Sequence, residues 1–140
     1  LKEAAVKQLK DGESVWFGND VLKEMDRKTG YLDTELYKTD ELFDVDTYMT
    51  KAERLATGEG EVSHAMTLVG VDLDKGEIRK WKVENSWSEK SGRKGYFTMS
   101  DKWFDEFGYE VVVRKEFLTD DQKKLAESKP TPLPAWDSLA

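Results

Sequence analysis

The sequence predicts an α+β fold in which antiparallel strands form a sheet and helices pack outside it. Residues 62–72 are a largely apolar run, and residues 78–87 alternate between Trp81, Val83 and Asn85 on one side and Lys80, Lys82 and Glu84 on the other. The two segments are separated by Leu73-Asp74-Lys75-Gly76, which has the composition of a hairpin loop. Helix signals lie on both sides of these strands, and 140 residues are enough to bury one core. We therefore expect one sheet-centred domain, residues 1–128, followed by an extended C-terminal arm, residues 129–140.

The first part of the chain is predicted to contain two helices, one strand and a long surface excursion. Residues 1–10 have apolar side chains at helical spacing, and an Asp-Gly pair follows as a stop signal. Residues 15–17 are an apolar run between two glycines, which is typical of a buried strand. Residues 20–49 mix charges with isolated aromatic residues, so we expect a surface excursion with helical pieces. Capping-box spacing between a threonine and a glutamate predicts a helix over residues 50–56.

The second part of the chain is predicted to add two strands and two helical segments. Residues 95–99 and 109–114 are strand-like, and a short helical turn is expected between them at residues 100–107. A second capping box starts a helix over residues 119–128. Prolines at alternate positions then favour an extended conformation for residues 129–140.

Composition excludes several classes of function. The formal net charge is −7 and no basic cluster is present, which argues against a nucleic-acid partner. The longest nearly apolar run, residues 65–71, is too short to cross a bilayer, and no secretion signal is visible, so we expect no membrane partner and a cytoplasmic location. The first residue is Leu1 and not Met, which suggests that an upstream portion has been removed.

Metal and cofactor chemistry is not expected. The chain has one histidine and no cysteine, so few metal ligands and no thiol nucleophile are available. The acidic residues Glu41, Asp44 and Asp46 lack the glycine and terminal glutamate of an EF-hand loop, so we interpret them as solvated surface.

The single histidine, His64, lies in the most apolar predicted strand. If Asp72 is opposite Glu77 across a four-residue loop, then His64 is directly opposite Asn85. Opposed residues of an antiparallel pair share a face, with Cβ atoms about 5 Å apart, whereas a slip of one residue would separate their faces.

Two interpretations of this pair remain open. The Asn85 oxygen could accept the proton of one His64 ring nitrogen and leave the other nitrogen free to act on a nucleophile. Trp87, on the same face, could then cover the pair and exclude water. Alternatively, the two side chains are a buried polar pair that satisfies its own hydrogen bonds beside a core tryptophan.

Several segments resemble those of papain-like cysteine peptidases. Ser63-His64-Ala65-Met66 resembles their histidine segment, and Val83-Glu84-Asn85-Ser86-Trp87 resembles their Asn-Ser-Trp segment. The finer match is to the bleomycin hydrolase and aminopeptidase C branch, and it extends over nearly all of the chain. The further segments that carry this likeness are Val15-Trp16-Phe17-Gly18, Lys94-Gly95-Tyr96, Trp103-Phe104, Glu110-Val111-Val112-Val113 and Leu133-Pro134-Ala135-Trp136-Asp137. One departure is Ser88, where these enzymes usually have glycine.

The resemblance implies the C-terminal lobe of a papain-like aminopeptidase, with a barrel-like antiparallel sheet and peripheral helices. It implies a Cys-His-Asn mechanism on peptide substrates, with His64 as general acid/base and Asn85 as the residue that orients it. The cysteine and the glutamine that helps to stabilise the oxyanion belong to an N-terminal lobe that this sequence does not contain. We therefore expect a fragment that is inactive alone, whose parent enzyme assembles from identical subunits in a ring.

The resemblance also implies a role for the end of the arm. In this branch the terminal carboxylate lies in the cleft and meets the free amino group of the substrate, which would make Leu139 and Ala140 substrate-binding residues here. An ordinary frayed terminus is the competing interpretation.

Two other functions compete with the peptidase. A non-catalytic binding module with the same fold would also lack the cysteine. A hydrolase that uses carboxylates or a metal is poorly supported, because the chain has one histidine and no preorganised acidic cluster.

Overall fold

The computed structural model describes residues 1–137, which fold around one mixed β-sheet. The helices are α1 (Lys2–Lys10), α2 (Thr39–Phe43), α3 (Lys51–Thr57), α4 (Asp101–Phe107) and α5 (Asp120–Glu127), with a 3₁₀ turn at Lys115–Phe117. The strands are β1 (Val15–Asn19), β2 (Met25–Asp26), β3 (Tyr31–Leu32), β4 (His64–Asp74), β5 (Glu77–Glu84), β6 (Tyr96–Ser100) and β7 (Gly108–Val112).

The seven strands lie in the order β2-β3-β6-β5-β4-β1-β7. Every neighbouring pair is antiparallel except β3 and β6, which run parallel. The long strands β4 and β5 lie at the centre. In β5, Trp81 and Val83 are buried and the charged residues between and beside them are exposed. In β4, Met66 and Leu68 are buried. The expected antiparallel sheet is therefore present, with one parallel pair at its β3 side.

Most of the predicted elements occupy their predicted positions. Both capping boxes are formed, at the starts of α3 and α5, and in each the threonine hydroxyl accepts from the third helical N–H. The predicted surface excursion at residues 20–49 needs correction, because it contains the short strands β2 and β3 as well as α2. Two-residue strands leave no readable alternation in a sequence, so the pattern could not reveal them.

The core lies between one face of the sheet and the helices α1 and α4. Its largest fully buried side chains come from β1, β3, β4, β5, β6 and α4, and they include Val15, Phe17, Leu32, Leu68, Trp81, Val83, Phe97, Met99 and Trp103. The two buried indoles have hydrogen-bond partners, since Trp81 donates to Asp101 Oδ1 at 3.1 Å and Trp103 donates to the Lys23 carbonyl at 2.8 Å. This packing fixes the ends of β1, β4 and β5, where the candidate site lies.

The C-terminal segment leaves this core. Residues 129–134 form no helix or strand, and Trp136 is 85% exposed. No helix within residues 1–137 is long and apolar enough to cross a membrane.

Candidate active site

His64 and Asn85 meet at one end of the sheet. His64 is the first residue of β4, and Asn85 directly follows β5. The distance between His64 Nε2 and Asn85 Oδ1 is 2.9 Å, which is a hydrogen bond. Asn85 is buried, with 7% of its surface exposed, and His64 is partly exposed. The structure thus pairs an accessible imidazole with a protected carboxamide.

The register that led to this pairing is wrong. The hairpin has a two-residue turn, Lys75-Gly76, and Asp74 pairs with Glu77, whereas the prediction placed Asp72 there. Both turn residues have positive φ, 52° and 93°, as a type I′ turn requires. Composition alone does not show that a lysine adopts this conformation, so the loop was predicted two residues too long.

The side chains still share a face because the error is an even number of residues. Leu68 pairs with Val83, two positions from the predicted partner, and Thr67 pairs with Glu84. Continuing this ladder places Asn85 diagonally across from His64, on the same face. Diagonal neighbours lie about 7–8 Å apart at the backbone, within reach of long side chains.

The orientation of the Asn85 carboxamide is fixed by its own chain. The Ser86 backbone N–H can only donate, and it lies 2.8 Å from Asn85 Oδ1, which identifies this atom as the oxygen. The same oxygen faces His64, so the His64 Nε2 carries the proton and Nδ1 has none when the ring is neutral. The Asn85 backbone N–H donates to the Gly95 carbonyl at 3.0 Å, which ties the residue to the start of β6.

Trp87 packs against the imidazole. The ring centroids of Trp87 and His64 are 5.1 Å apart, with an angle of 32° between the planes. Trp87 also makes an edge contact with Phe97 at 6.1 Å, and the Arg27 guanidinium carbon lies 4.8 Å from its ring centroid. The indole therefore packs on the imidazole that hydrogen-bonds to Asn85, which is compatible with both interpretations of the pair.

Two polar residues at the end of β1 were missed by the sequence analysis. Asn19 is fully buried and pairs with His64 across the β1–β4 ladder. The next residue, Asp20, accepts a hydrogen bond from the Ser63 hydroxyl at 3.1 Å, directly before His64. The sequence feature that could have revealed these two residues is a polar Asn-Asp pair directly after an apolar strand. Arg27 left no such signal, because it lies within the excursion of mixed charge.

Two other predicted site residues and the acidic residues considered for calcium remain to be placed. Leu139 and Ala140 lie outside the described residues. Within residues 1–137, no group of three or more histidine, aspartate and glutamate side chains is arranged to hold a metal ion. Asp46, one of the acidic residues considered for calcium, instead accepts a hydrogen bond from the Tyr48 backbone N–H at 3.1 Å.

The whole chain matches one known protein family. A sequence profile of the Peptidase C1-like family matches residues 1–140, and the chain belongs to this family. It is 69% identical over 140 residues to aminopeptidase E of Lactobacillus helveticus, and 49% identical over 142 residues to aminopeptidase C of the same species. The two alignments include 100% and 99% of this chain, respectively, but only 32% of the length of each relative.

A solved structure has the same fold. The crystal structure of PepW from Lactobacillus rhamnosis HN001 superposes with a TM-score of 0.92 at 56% sequence identity, and the match covers 99% of this chain and 32% of that one. The predicted α+β class and the papain-like architecture are thereby confirmed. The chain spans about a third of the length of the relatives that it matches.

Proposed function

We propose that this chain is the C-terminal, histidine-bearing part of a cysteine aminopeptidase of the bleomycin hydrolase and aminopeptidase C type. The observation that carries the proposal is the 2.9 Å hydrogen bond between His64 Nε2 and Asn85 Oδ1, which leaves Nδ1 able to accept a proton. Relatives named as aminopeptidases support the peptidase class and peptide substrates.

In the proposed mechanism, His64 Nδ1 takes the proton of a cysteine thiol that another part of the parent enzyme supplies. The thiolate attacks the peptide carbonyl carbon, and the C–N bond breaks as Nδ1 returns the proton to the leaving amine. Water then hydrolyses the thioester, with His64 acting as base, and releases the new carboxylic acid. Asn85 holds the ring in position through Nε2, and Trp87 limits competition from water for that bond.

The remaining parts of the proposal concern the assembled enzyme. Residues 1–128 form the lobe that faces the cysteine-bearing lobe, and residues 129–140 form the arm. The carboxylate of Ala140, positioned through Leu139, meets the ammonium group of the substrate and restricts cleavage to N-terminal residues. The parent enzyme is a cytoplasmic ring of identical subunits, and it uses no metal or cofactor.

The test compares two proteins: this chain alone, and a fusion of this chain to the upstream part of Lactobacillus helveticus aminopeptidase E. This chain is 69% identical to the matching part of that enzyme, which favours a matching interface between the lobes of the fusion. We expect no turnover of leucyl-aminomethylcoumarin by the chain alone, because it has no cysteine, and clear turnover by the fusion. In the fusion, His64→Ala should reduce kcat/KM by about 1,000-fold, which is within the range for loss of a general acid/base. Lys75→Ala, at the hairpin turn, is the control and should leave kcat/KM unchanged.

The outcomes separate the two functions. A folded fusion that shows no turnover with His64 intact would support the non-catalytic binding module. Activity of the His64→Ala fusion within tenfold of the parent fusion would remove His64 from the mechanism.

A further inference from the structure

We propose that Arg27 is a positioning residue that holds Trp87 against the His64–Asn85 pair. This inference takes its functional meaning from the proposed role of His64. Arg27 does not touch His64 in the contacts described above; it acts through the indole. Its guanidinium carbon lies 4.8 Å from the Trp87 ring centroid, and the Trp87 and His64 centroids are 5.1 Å apart. One indole is thus in contact with both an exposed cation and the imidazole.

Arg27 is tied to the same loop that carries Trp87. Its Nε–H donates to the Ser91 hydroxyl oxygen at 3.2 Å, and the Ser91 hydroxyl donates to the Trp87 carbonyl at 3.1 Å. The Arg27 carbonyl accepts from the Gly92 N–H at 2.9 Å. The side chain and the backbone of one arginine therefore hold the loop at three points: the Trp87 ring, the Ser91 hydroxyl and the Gly92 amide.

The loop needs this support because it hydrogen-bonds largely to itself. Between β5 and β6, the Ser91 N–H donates to the Ser88 carbonyl and the Gly95 N–H donates to the Ser91 carbonyl. Support from outside comes from the β2–β3 connection, where the Gly30 and Gly92 backbones approach so closely that a Cβ on Gly30 would lie 2.8 Å from Gly92 Cα. Arg27 belongs to this connection, and it extends the backbone contact to the indole.

The physical consequence is protection of one proton. In this proposal, the indole packed on the imidazole shields the His64 Nε2–H from water, and the shielding is lost when the indole moves away. A cation at an exposed aromatic ring favours the packed position of that ring by about two- to fivefold in equilibrium constant. Loss of Arg27 should therefore raise the population of loop states in which water reaches the His64–Asn85 bond.

The experiment measures the exchange of the His64 Nε2–H with water by NMR in the ¹⁵N-labelled full chain. His64 is the only histidine, so the ring gives one unambiguous set of signals. We expect Arg27→Met to accelerate exchange by about two- to fivefold. Arg27→Lys keeps a cation and should lie between Arg27→Met and the unchanged chain. Ser91→Ala removes the tether of the arginine side chain and should shift the rate in the same direction as Arg27→Met.

Arg93→Met is the matched control. Arg93 also stacks on an aromatic ring at this junction, since its guanidinium carbon lies 5.6 Å from the Tyr31 centroid, and its Nη2 donates to the Tyr31 hydroxyl at 3.0 Å. Exchange in Arg93→Met should equal that of the unchanged chain. The proposal would be overturned if the His64 Nε2–H exchanged at the same rate in Arg27→Met as in the unchanged chain. It would also be overturned if Arg27→Met and Arg93→Met accelerated exchange equally, because that result indicates general loosening of the junction.

The measurement needs no turnover, so it fails or succeeds independently of the peptidase. An inactive fusion with accelerated exchange in Arg27→Met would refute the proposed function and support the positioning role. An active fusion with unchanged exchange in Arg27→Met, Arg27→Lys and Ser91→Ala would refute the positioning role alone. Thermal unfolding of each variant confirms that exchange is compared between folded chains.

Discussion

At the scale of single residues, the site depends on which face of the sheet each side chain occupies. The predicted register was wrong by two positions, but the predicted contact between His64 and Asn85 is present, because strand side chains alternate with a period of two. The Ser86 N–H then orients the Asn85 carboxamide from within the same chain segment. Face and amide orientation together decide which His64 nitrogen is free to accept a proton.

In the proposed mechanism Asn85 orients the ring and exchanges no proton, so it should matter less to turnover than His64. In the fusion described above, we expect Asn85→Ala to reduce kcat/KM by about 100-fold, as expected when a reacting group is misplaced by about 1 Å. Asn85→Asp keeps an acceptor oxygen at the same position and should lose less. Steady-state kinetics on the folded variants give the comparison. Full activity in Asn85→Ala would show that the hydrogen bond is structural only.

At the scale of elements, long patterns were predictable from sequence and short ones were not. The apolar run of β4 and the alternation in β5 each extend over several residues, and each capping box depends on a fixed spacing between two residues; all four are present. Strands β2 and β3 have two residues each, too few to show an alternation, and β3 also pairs with β6, which is distant in sequence. Arg27 lies between them, and its contact with Trp87 is likewise set by tertiary packing.

The loop after β5 offers a prediction at this scale. A Cβ on Gly92, where φ is +57°, would lie 2.5 Å from the Tyr96 carbonyl oxygen. We expect Gly92→Ala to destabilise the chain by about 3 kcal/mol or more, since a left-handed conformation costs about 1–2 kcal/mol and overpacking adds about 1–3 kcal/mol. Urea unfolding measures this loss.

Gly12→Ala is the matched control for the loop. Gly12 has φ of +90°, and its Cβ would meet no atom within 4 Å, so only the backbone cost of about 1–2 kcal/mol applies. Equal losses in the two variants would show that the close approach at Gly92 relaxes without cost.

At the scale of the whole molecule, the excess of acidic residues is only partly matched by ion pairs. The formal net charge is −7, and Glu24 lies near the carboxylates of Asp33, Asp40 and Glu35. Burial raises the pKa of Glu24, and these neighbouring charges raise it further, against a hydrogen bond from the Tyr37 backbone that lowers it. The buried Oε2 atom of Glu24 has no hydrogen-bond partner among the described residues.

Glu24 should therefore make stability depend on pH in a defined direction. The folded-state pKa of Glu24 lies above the ordinary value of 4.5. The contribution of this group to the free energy of unfolding is therefore complete below pH 4.5 and is lost as pH rises through the folded-state pKa. We expect Glu24→Gln to stabilise the chain at pH 7 by about 0.5 kcal/mol, a value reduced for partial exposure, and to have no effect near pH 4. Urea unfolding at both pH values tests this.

Glu53→Gln provides a comparison of opposite sign. Hydrogen bonds from the Thr50 hydroxyl and backbone N–H lower the pKa of Glu53, so its contribution is complete above the ordinary value of 4.5 and is lost as pH falls through the lowered pKa. At pH 7 this variant should be destabilised relative to the unchanged chain, while Glu24→Gln is stabilised. If both variants shift stability in the same direction at pH 7, then loss of negative charge in general explains the result, and burial of Glu24 does not.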